Sequence, residues 1–84
     1  MAATTRSHTT TDHEKIRRWA ESRNALPACV KGTAGPFDVG VLRLDFPGYN
    51  GEEPLQHISW EDWFFKFDEQ GLAFIYYDQT AEMN

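Results

Sequence analysis

The sequence has one cysteine, no long run of apolar residues and few basic residues in its second half. Because Cys29 has no second cysteine to pair with, a disulfide framework within the chain is excluded. No stretch approaches the ~20 apolar residues of a membrane-spanning helix, and the first ten residues lack the apolar core of a secretion signal. We therefore expect a cytoplasmic protein that does not interact with membranes.

The chain has 84 residues, which is enough for one small domain. This length excludes a barrel enzyme and a doubly wound nucleotide-binding fold. Hydrophobic residues make up 40% and aromatic residues 14% of the chain, so a packed core is expected rather than global disorder. We predict a flexible tail over residues 1–10, one domain over 11–79 and a frayed C-terminus over 80–84.

The first helix is predicted over residues 12–23. Thr11 and Glu14 have the spacing of a capping box, in which each side chain hydrogen-bonds a free backbone amide near the helix start. Asn24 is suited to the left-handed conformation that ends many helices, and Pro27 cannot continue a helix.

The second helix is predicted to begin after Ser59, whose hydroxyl suits the cap position, and to end at Gly71. Its apolar side chains recur at the spacing of a single helical face. These side chains are Trp60, Trp63, Phe64 and Phe67. We expect this face to pack against the core.

Three strands are predicted, over residues 28–33, 39–46 and 72–78. Turn-forming residues at 34–38 separate the first two, which are expected to form an antiparallel hairpin. The connection over 47–58 contains two prolines and two glycines and is expected to lack regular structure. The order α-β-β-α-β predicts an α+β fold, with a small three-stranded antiparallel sheet and two amphipathic helices packed on one face.

Charge is unevenly distributed along the chain, whose net charge is −5. Residues 1–44 carry seven bases and four acids, whereas residues 45–84 carry one base and nine acids. One interpretation is a solvated acidic face. The other is an anionic surface that docks on a basic groove of a partner.

Phe65 lies away from the apolar stripe of the second helix. At about 100° per residue it is roughly 140° from Trp60 on the helical wheel. Its neighbours on the wheel are acidic: Glu61, Asp62, Asp68 and Glu69. An aromatic side chain surrounded by acids is typical of an interface anchor with a polar rim. The alternative is that this face packs under the connection over 47–58.

Three residues of that connection, Tyr49, Glu52 and Glu53, are further candidates for the partner-binding surface. Because no apolar wall is predicted around the two glutamates, a solvated acidic patch is favoured over an acid–base pair. Phe37, in the hairpin turn, is another candidate for an exposed aromatic side chain.

No arrangement of residues indicates catalysis or a cofactor. His8, His13 and His57 lack a second ligand at metal-binding spacing. Cys29 lies in a predicted strand, where a small buried thiol is expected. We predict that the protein is not an enzyme and holds neither a metal nor a cofactor.

The chain contains five motifs, in this order: TDHEKIRRWAESR, PACVKGT, VLRLDFPGYNGEE, ISWEDWFFKFDE and LAFIYYDQTA. Together they cover about residues 10–81 and resemble a family of small bacterial proteins often labelled "1,4-alpha-glucan branching enzyme". The label implies a glucan-related enzyme, but glycosyl transfer of that kind needs a barrel of roughly 250 residues. The chain differs from the family pattern at Phe65, where a charged residue is usual.

Three hypotheses for function follow. The first is a non-catalytic module that binds another protein through the acidic and aromatic face of the second helix. The second is an acidic inhibitor that mimics nucleic acid and occupies the basic groove of a nucleic-acid-binding complex, in the manner of phage anti-CRISPR proteins. The third is the glucan-related enzyme that the resemblance implies.

The sequence also raises two other interactions, direct nucleic-acid binding and self-association. Direct nucleic-acid binding would use the basic residues in the first half of the chain. Glu14 and Glu21 partly offset their positive charge. These bases are Lys15, Arg17, Arg18, Arg23 and Lys31. An exposed edge strand would allow self-association, but the pattern does not identify that strand, so the oligomeric state stays open.

Overall fold

The computed structural model describes residues 7–77, which form two helices and five strands in two antiparallel sheets. The elements are β1 (Ser7–Thr10), α1 (His13–Glu21), β2 (Leu26–Val30), β3 (Leu42–Asp45), β4 (Leu55–His57), α2 (Trp60–Glu69) and β5 (Phe74–Tyr77). The predicted α+β class is therefore confirmed. Residues 1–6 of the predicted tail and the predicted frayed end lie outside the described residues.

The larger sheet has the order β3-β2-β4, with β2 antiparallel to both of its neighbours. The predicted hairpin of β2 and β3 is confirmed. The third strand, β4, comes from the connection that was expected to be irregular. Backbone hydrogen bonds hold both of its ends, from Lys31 to Pro54 (2.8 Å) and from Ile58 to Pro27 (3.0 Å). At three residues, β4 is too short for its side-chain alternation to be recognised in the sequence.

The smaller sheet pairs β5 with β1, from Thr10 opposite Phe74 to Ser7 opposite Tyr77. The sequence predicted β5 but assigned it to the same sheet as β2 and β3, which is wrong. Residues 7–10, expected to belong to the tail, form its partner strand. Their sequence, SHTT, has no apolar alternation, so the strand depends on pairing with β5 rather than on its own pattern.

The N-cap of α1 is Asp12 rather than the predicted Thr11. The Asp12 carboxylate accepts hydrogen bonds from the backbone N–H groups of Glu14 (3.0 Å) and Lys15 (3.3 Å). The Glu14 side chain bonds Arg18 (2.9 Å) and does not reach back to the cap. A carboxylate at this position also interacts favourably with the helix dipole.

The other predicted helix ends are confirmed. Asn24 has a φ of 59° after α1, and Gly71 has a φ of 65° after α2. The Ser59 hydroxyl accepts a hydrogen bond from the Asp62 backbone at 3.0 Å, as an N-cap does.

The two candidate caps of α1 predict different results on mutation. Asp12→Ala is expected to lower the free energy of unfolding by about 1 kcal/mol, because two backbone amides lose their acceptor. Thr11 is exposed and makes no hydrogen bond within residues 7–77, so Thr11→Ala should change it by less than about 0.5 kcal/mol. Urea unfolding of both variants measures the difference. Equal losses would contradict Asp12 as the cap.

The core lies between the two helices and the larger sheet. Ile16 of α1 and Trp63 and Phe67 of α2 are buried at its centre. Half-buried side chains pack around them: Leu42, Leu44, Ile58, Trp60, Phe64 and Phe74. The predicted apolar stripe of α2 therefore faces the core. The Trp63 indole also donates a hydrogen bond to the Arg43 carbonyl at 3.0 Å, which fixes α2 against β3.

Candidate protein-interaction surface

Phe65 is exposed on α2, on the side away from the core. Its side chain is 66% exposed, whereas Trp63 and Phe67, two residues away on either side, are 4% and 3% exposed. No ring contact involves Phe65 within residues 7–77, although the other aromatic residues of α2 all stack or meet edge to face. The helix therefore buries one aromatic face and presents a single phenylalanine on the other.

Acidic side chains lie one helical turn from Phe65 in both directions. Glu61 and Asp62 precede it by four and three residues, and Asp68 and Glu69 follow it by three and four. Residues at these spacings are neighbours on a helix surface, and all four are exposed. Phe65 and these four acids are called the acidic–aromatic surface below.

The described carboxylates fall into two groups according to their partners. Six are paired with a basic side chain, as Glu14–Arg18, Glu21–Arg17, Asp38–Lys66, Asp45–His57, Glu53–Arg43 and Asp68–His13. Those without such a partner within residues 7–77 are Asp12, Glu52, Glu61, Asp62 and Glu69. Because Asp12 caps α1, the carboxylates without a basic partner lie mainly on α2, beside Phe65.

Asp68 differs from the other acids of this surface because it joins the two helices. Its Oδ1 lies 2.8 Å from Nε2 of His13, at the start of α1. The His13 ring stacks on Phe64, with the ring centroids 4.2 Å apart. The predicted partner-binding role of Asp68 therefore competes with a structural one.

Two of the candidates in the loop before β4 are tied to β3, Glu53 directly and Tyr49 through Glu53. Arg43 donates two hydrogen bonds to the Glu53 carboxylate, at 2.9 and 3.1 Å, and the Tyr49 hydroxyl donates to the Glu53 carbonyl at 3.0 Å. The Glu53 hydrogen bonds raise the pKa of Arg43 above its usual value. Within the described residues, no hydrogen bond, ion pair or ring contact joins Tyr49, Glu52 or Glu53 to the acidic–aromatic surface. The exposure of Phe65 also rules out the alternative that this loop covers it.

Phe37 is an exposed aromatic side chain that the sequence placed in a turn without adding it to the binding surface. It is 95% exposed, in a turn closed by backbone hydrogen bonds between Gly35 and Asp38. The Asp38 carboxylate pairs with the Lys66 ammonium group of α2. Phe37 and Phe65 each directly precede one member of this ion pair, so the turn is held beside the helix that presents Phe65.

The ion pair of Asp38 and Lys66 fixes this arrangement. The Lys66 side chain is only 12% exposed, so its charge needs a nearby partner. The hydrogen bond from Lys66, followed by one from the Gly40 backbone, holds the pKa of Asp38 below its usual value. The two residues are 28 positions apart, and no local pattern in the sequence indicates such a pair.

Compared with protein-family models, curated proteins and solved structures, the chain has no match. The family resemblance of the sequence motifs therefore stays a prediction.

Three further observations concern a metal site, a membrane-spanning helix and Cys29. Within residues 7–77, no group of three His, Cys, Asp or Glu side chains is placed to hold a metal ion. Neither described helix is long and apolar enough to cross a membrane. Cys29 is buried at 3% exposure, as a small core thiol was expected to be.

A groove of about 520 Å³ is lined by residues of α1 and by Phe64 of α2. It includes Arg17 and Arg18, two of the residues considered for nucleic-acid binding. Each lies 2.9 Å from a carboxylate, Glu21 and Glu14 respectively. This internal compensation reduces the positive charge that these two residues offer to a phosphate backbone.

Proposed function

We propose that this protein is a non-catalytic module that binds another protein through the acidic–aromatic surface of α2. The observation that supports it is the 66% exposure of Phe65 beside Glu61, Asp62 and Glu69, which have no basic partner within residues 7–77. Burying one phenylalanine side chain stabilises a complex by about 1.5–3 kcal/mol of transfer free energy. A large aromatic anchor inside a polar rim is the usual arrangement of an interaction hot spot.

The surface also defines the chemistry of its partner. Phe65 needs an apolar pocket, and the uncompensated charges of Glu61, Asp62 and Glu69 need Lys or Arg around that pocket. Complementary charges of this kind mainly raise the association rate and select the orientation. Phe37 adds a second apolar contact where the partner reaches the turn that Asp38 holds against α2.

Phe65 also separates this proposal from the nucleic-acid mimic. A mimic replaces phosphate groups with carboxylates, so it accounts for the acids of α2. It gives no role to an exposed phenyl ring at the centre of those acids, because a phosphate backbone has no apolar counterpart. Protein binding accounts for both features.

Photo-crosslinking tests the proposal at the residue that carries it. A photoreactive phenylalanine analogue at position 65 of the tagged full chain is expected to give one discrete adduct in lysate of the native host. The adduct should weaken as salt rises, because the carboxylates steer the encounter. The same analogue at exposed Lys31 is the control. No adduct at position 65, or the same adduct from position 31, would contradict the proposal.

A further inference from the structure

The free strand edges of the two sheets differ in their protection against pairing with another chain. Natural edge strands are protected by charge, by proline or by short length. The edge strand β3 carries Arg43 and Asp45, and β4 has three residues and follows Pro54. The sequence of β5 is FIYY, which has no charge and no proline and has a high β-propensity.

Among residues 7–77, the backbone of β5 is hydrogen-bonded along one side only. It pairs with β1, and no other hydrogen bond reaches residues 74–77 within the part of the chain that the structure describes. In an antiparallel ladder, alternate residues point their N–H and C=O groups away from the partner strand. The second side of β5 therefore presents N–H and C=O groups that are spaced so that a further β-strand can hydrogen-bond to them.

The outer face of this sheet is apolar. Ile75 is 62% and Tyr77 55% exposed, whereas Phe74 and Tyr76 turn inward toward Trp19 of α1, with ring centroids 5.4 and 6.0 Å away. An isolated two-stranded sheet is only marginally stable, and further strands stabilise it. An added strand that also covers Ile75 and Tyr77 would therefore stabilise this sheet.

Charge and symmetry favour a second copy of the chain as the added strand. Each copy has a net charge of −5, so acidic surfaces such as α2 repel one another. Neither β1 nor β5 contains Asp, Glu, Lys or Arg, so two copies approach here without opposing side-chain charges. An antiparallel pair of identical strands is also self-complementary about a two-fold axis.

We propose that β5 pairs with the β5 strand of a second copy to form a four-stranded antiparallel sheet with the β5 strands at its centre. A register centred on Tyr76 places Ile75 opposite Tyr77 of the second copy, which keeps the outward side chains of both copies on one face. Four residues from each strand bury less than the ~1,200 Å² of a stable interface. The dimer is therefore expected to dissociate on dilution, and the acidic–aromatic surface takes no part in it.

Sedimentation velocity of the full chain from about 1 μM to 1 mM tests the proposal. The wild type is expected to shift from monomer to dimer across this range. Ile75→Lys should weaken the association at least about tenfold, because it places like charges near each other across the axis. Val41→Lys is the matched control: Val41 is 44% exposed outside this sheet, the charge change is the same, and dimerisation should match the wild type.

Two further measurements distinguish lost strand pairing from misfolding and from association through another edge. Circular dichroism should show the wild-type fold for Ile75→Lys, and the milder Ile75→Thr should also weaken the dimer. Hydrogen exchange should show β5 amides protected as concentration rises, with β3 and β4 amides unchanged.

A wild-type monomer at every concentration, an equal loss of dimer in Val41→Lys, or protection at β3 or β4 instead of β5 would overturn the proposal. Phe65→Ser should dimerise normally, so this proposal and the binding proposal fail independently.

Discussion

Trp63→Ala is expected to lower the free energy of unfolding by about 3–5 kcal/mol. Trp63 is 4% exposed and contacts Trp60, Phe64 and Phe67, with ring centroids 5.2–5.5 Å apart. Replacing a buried tryptophan by alanine costs about 3–5 kcal/mol. Natural domains have about 0.05–0.15 kcal/mol of stability per residue, which gives a chain of this size about 4–13 kcal/mol, so the loss removes at least about a quarter of its stability.

Two variants, Trp63→Ala and Trp63→Phe, separate the contributions of Trp63. Urea unfolding followed by circular dichroism gives the free energy for each variant without relying on tryptophan fluorescence. Trp63→Phe retains most of the apolar contacts but leaves the Arg43 carbonyl without its indole donor. An intermediate loss of about 1–2 kcal/mol is expected for it. A Trp63→Ala variant within about 1 kcal/mol of the wild type would contradict the described core.

The features predicted correctly from the sequence depend on residues close together in the chain. The buried positions of Trp63 and Phe67 follow from helical spacing, because a 3.6-residue period places them on one face. The helix ends at Ser59 and Gly71 follow from cap chemistry, which needs only the residue itself and its nearest neighbours. The exposed position of Phe65 follows from the same wheel.

The pairing of the strands was missed because it depends on distant residues. A strand pattern shows that a segment is extended but not which strand it pairs with, so β5 was assigned to the wrong sheet. Its partner β1, with the polar sequence SHTT, has no pattern of its own. The cap of α1 was misplaced by one residue, because Thr11 and Asp12 are both good caps and only the backbone geometry separates them.

The candidate surface shows the same limit. The acids around Phe65 were predicted from the sequence, but the sequence did not indicate which of the candidate acids have a basic partner within the fold. Asp68 is paired with a histidine 55 residues away, and Glu53 with an arginine ten residues away. These contacts give two of the six predicted carboxylates a partner within the fold. Glu52, in the loop, and Glu61, Asp62 and Glu69, on α2, have none within residues 7–77, and the three on α2 lie beside Phe65.

Phe65→Ser is expected to weaken the complex with the partner captured at position 65 by at least about 30-fold, which is the effect of a hot-spot residue. The loss should lie mainly in the dissociation rate. Phe and Ser have similar helix propensities, so the exposed substitution should leave the free energy of unfolding within about 0.5 kcal/mol of the wild type. Surface plasmon resonance measures both rates, and urea unfolding checks the fold.

A triple variant, Glu61→Gln with Asp62→Asn and Glu69→Gln, tests the rim separately from the anchor. It should slow association by about tenfold at low salt and have little effect at high salt, because the charges act at long range before contact. Glu14→Gln is the control, since Glu14 is already paired with Arg18.

The relative size of these effects decides between the two hypotheses for the surface. In a protein-binding module the phenyl ring contributes most of the contact energy, so Phe65→Ser must weaken affinity more than the triple variant at physiological salt. In a nucleic-acid mimic the carboxylates replace phosphates, so the triple variant must weaken it more, and DNA or RNA must compete for the partner. The second result would contradict the proposed anchor role of Phe65 and leave its exposure without a function.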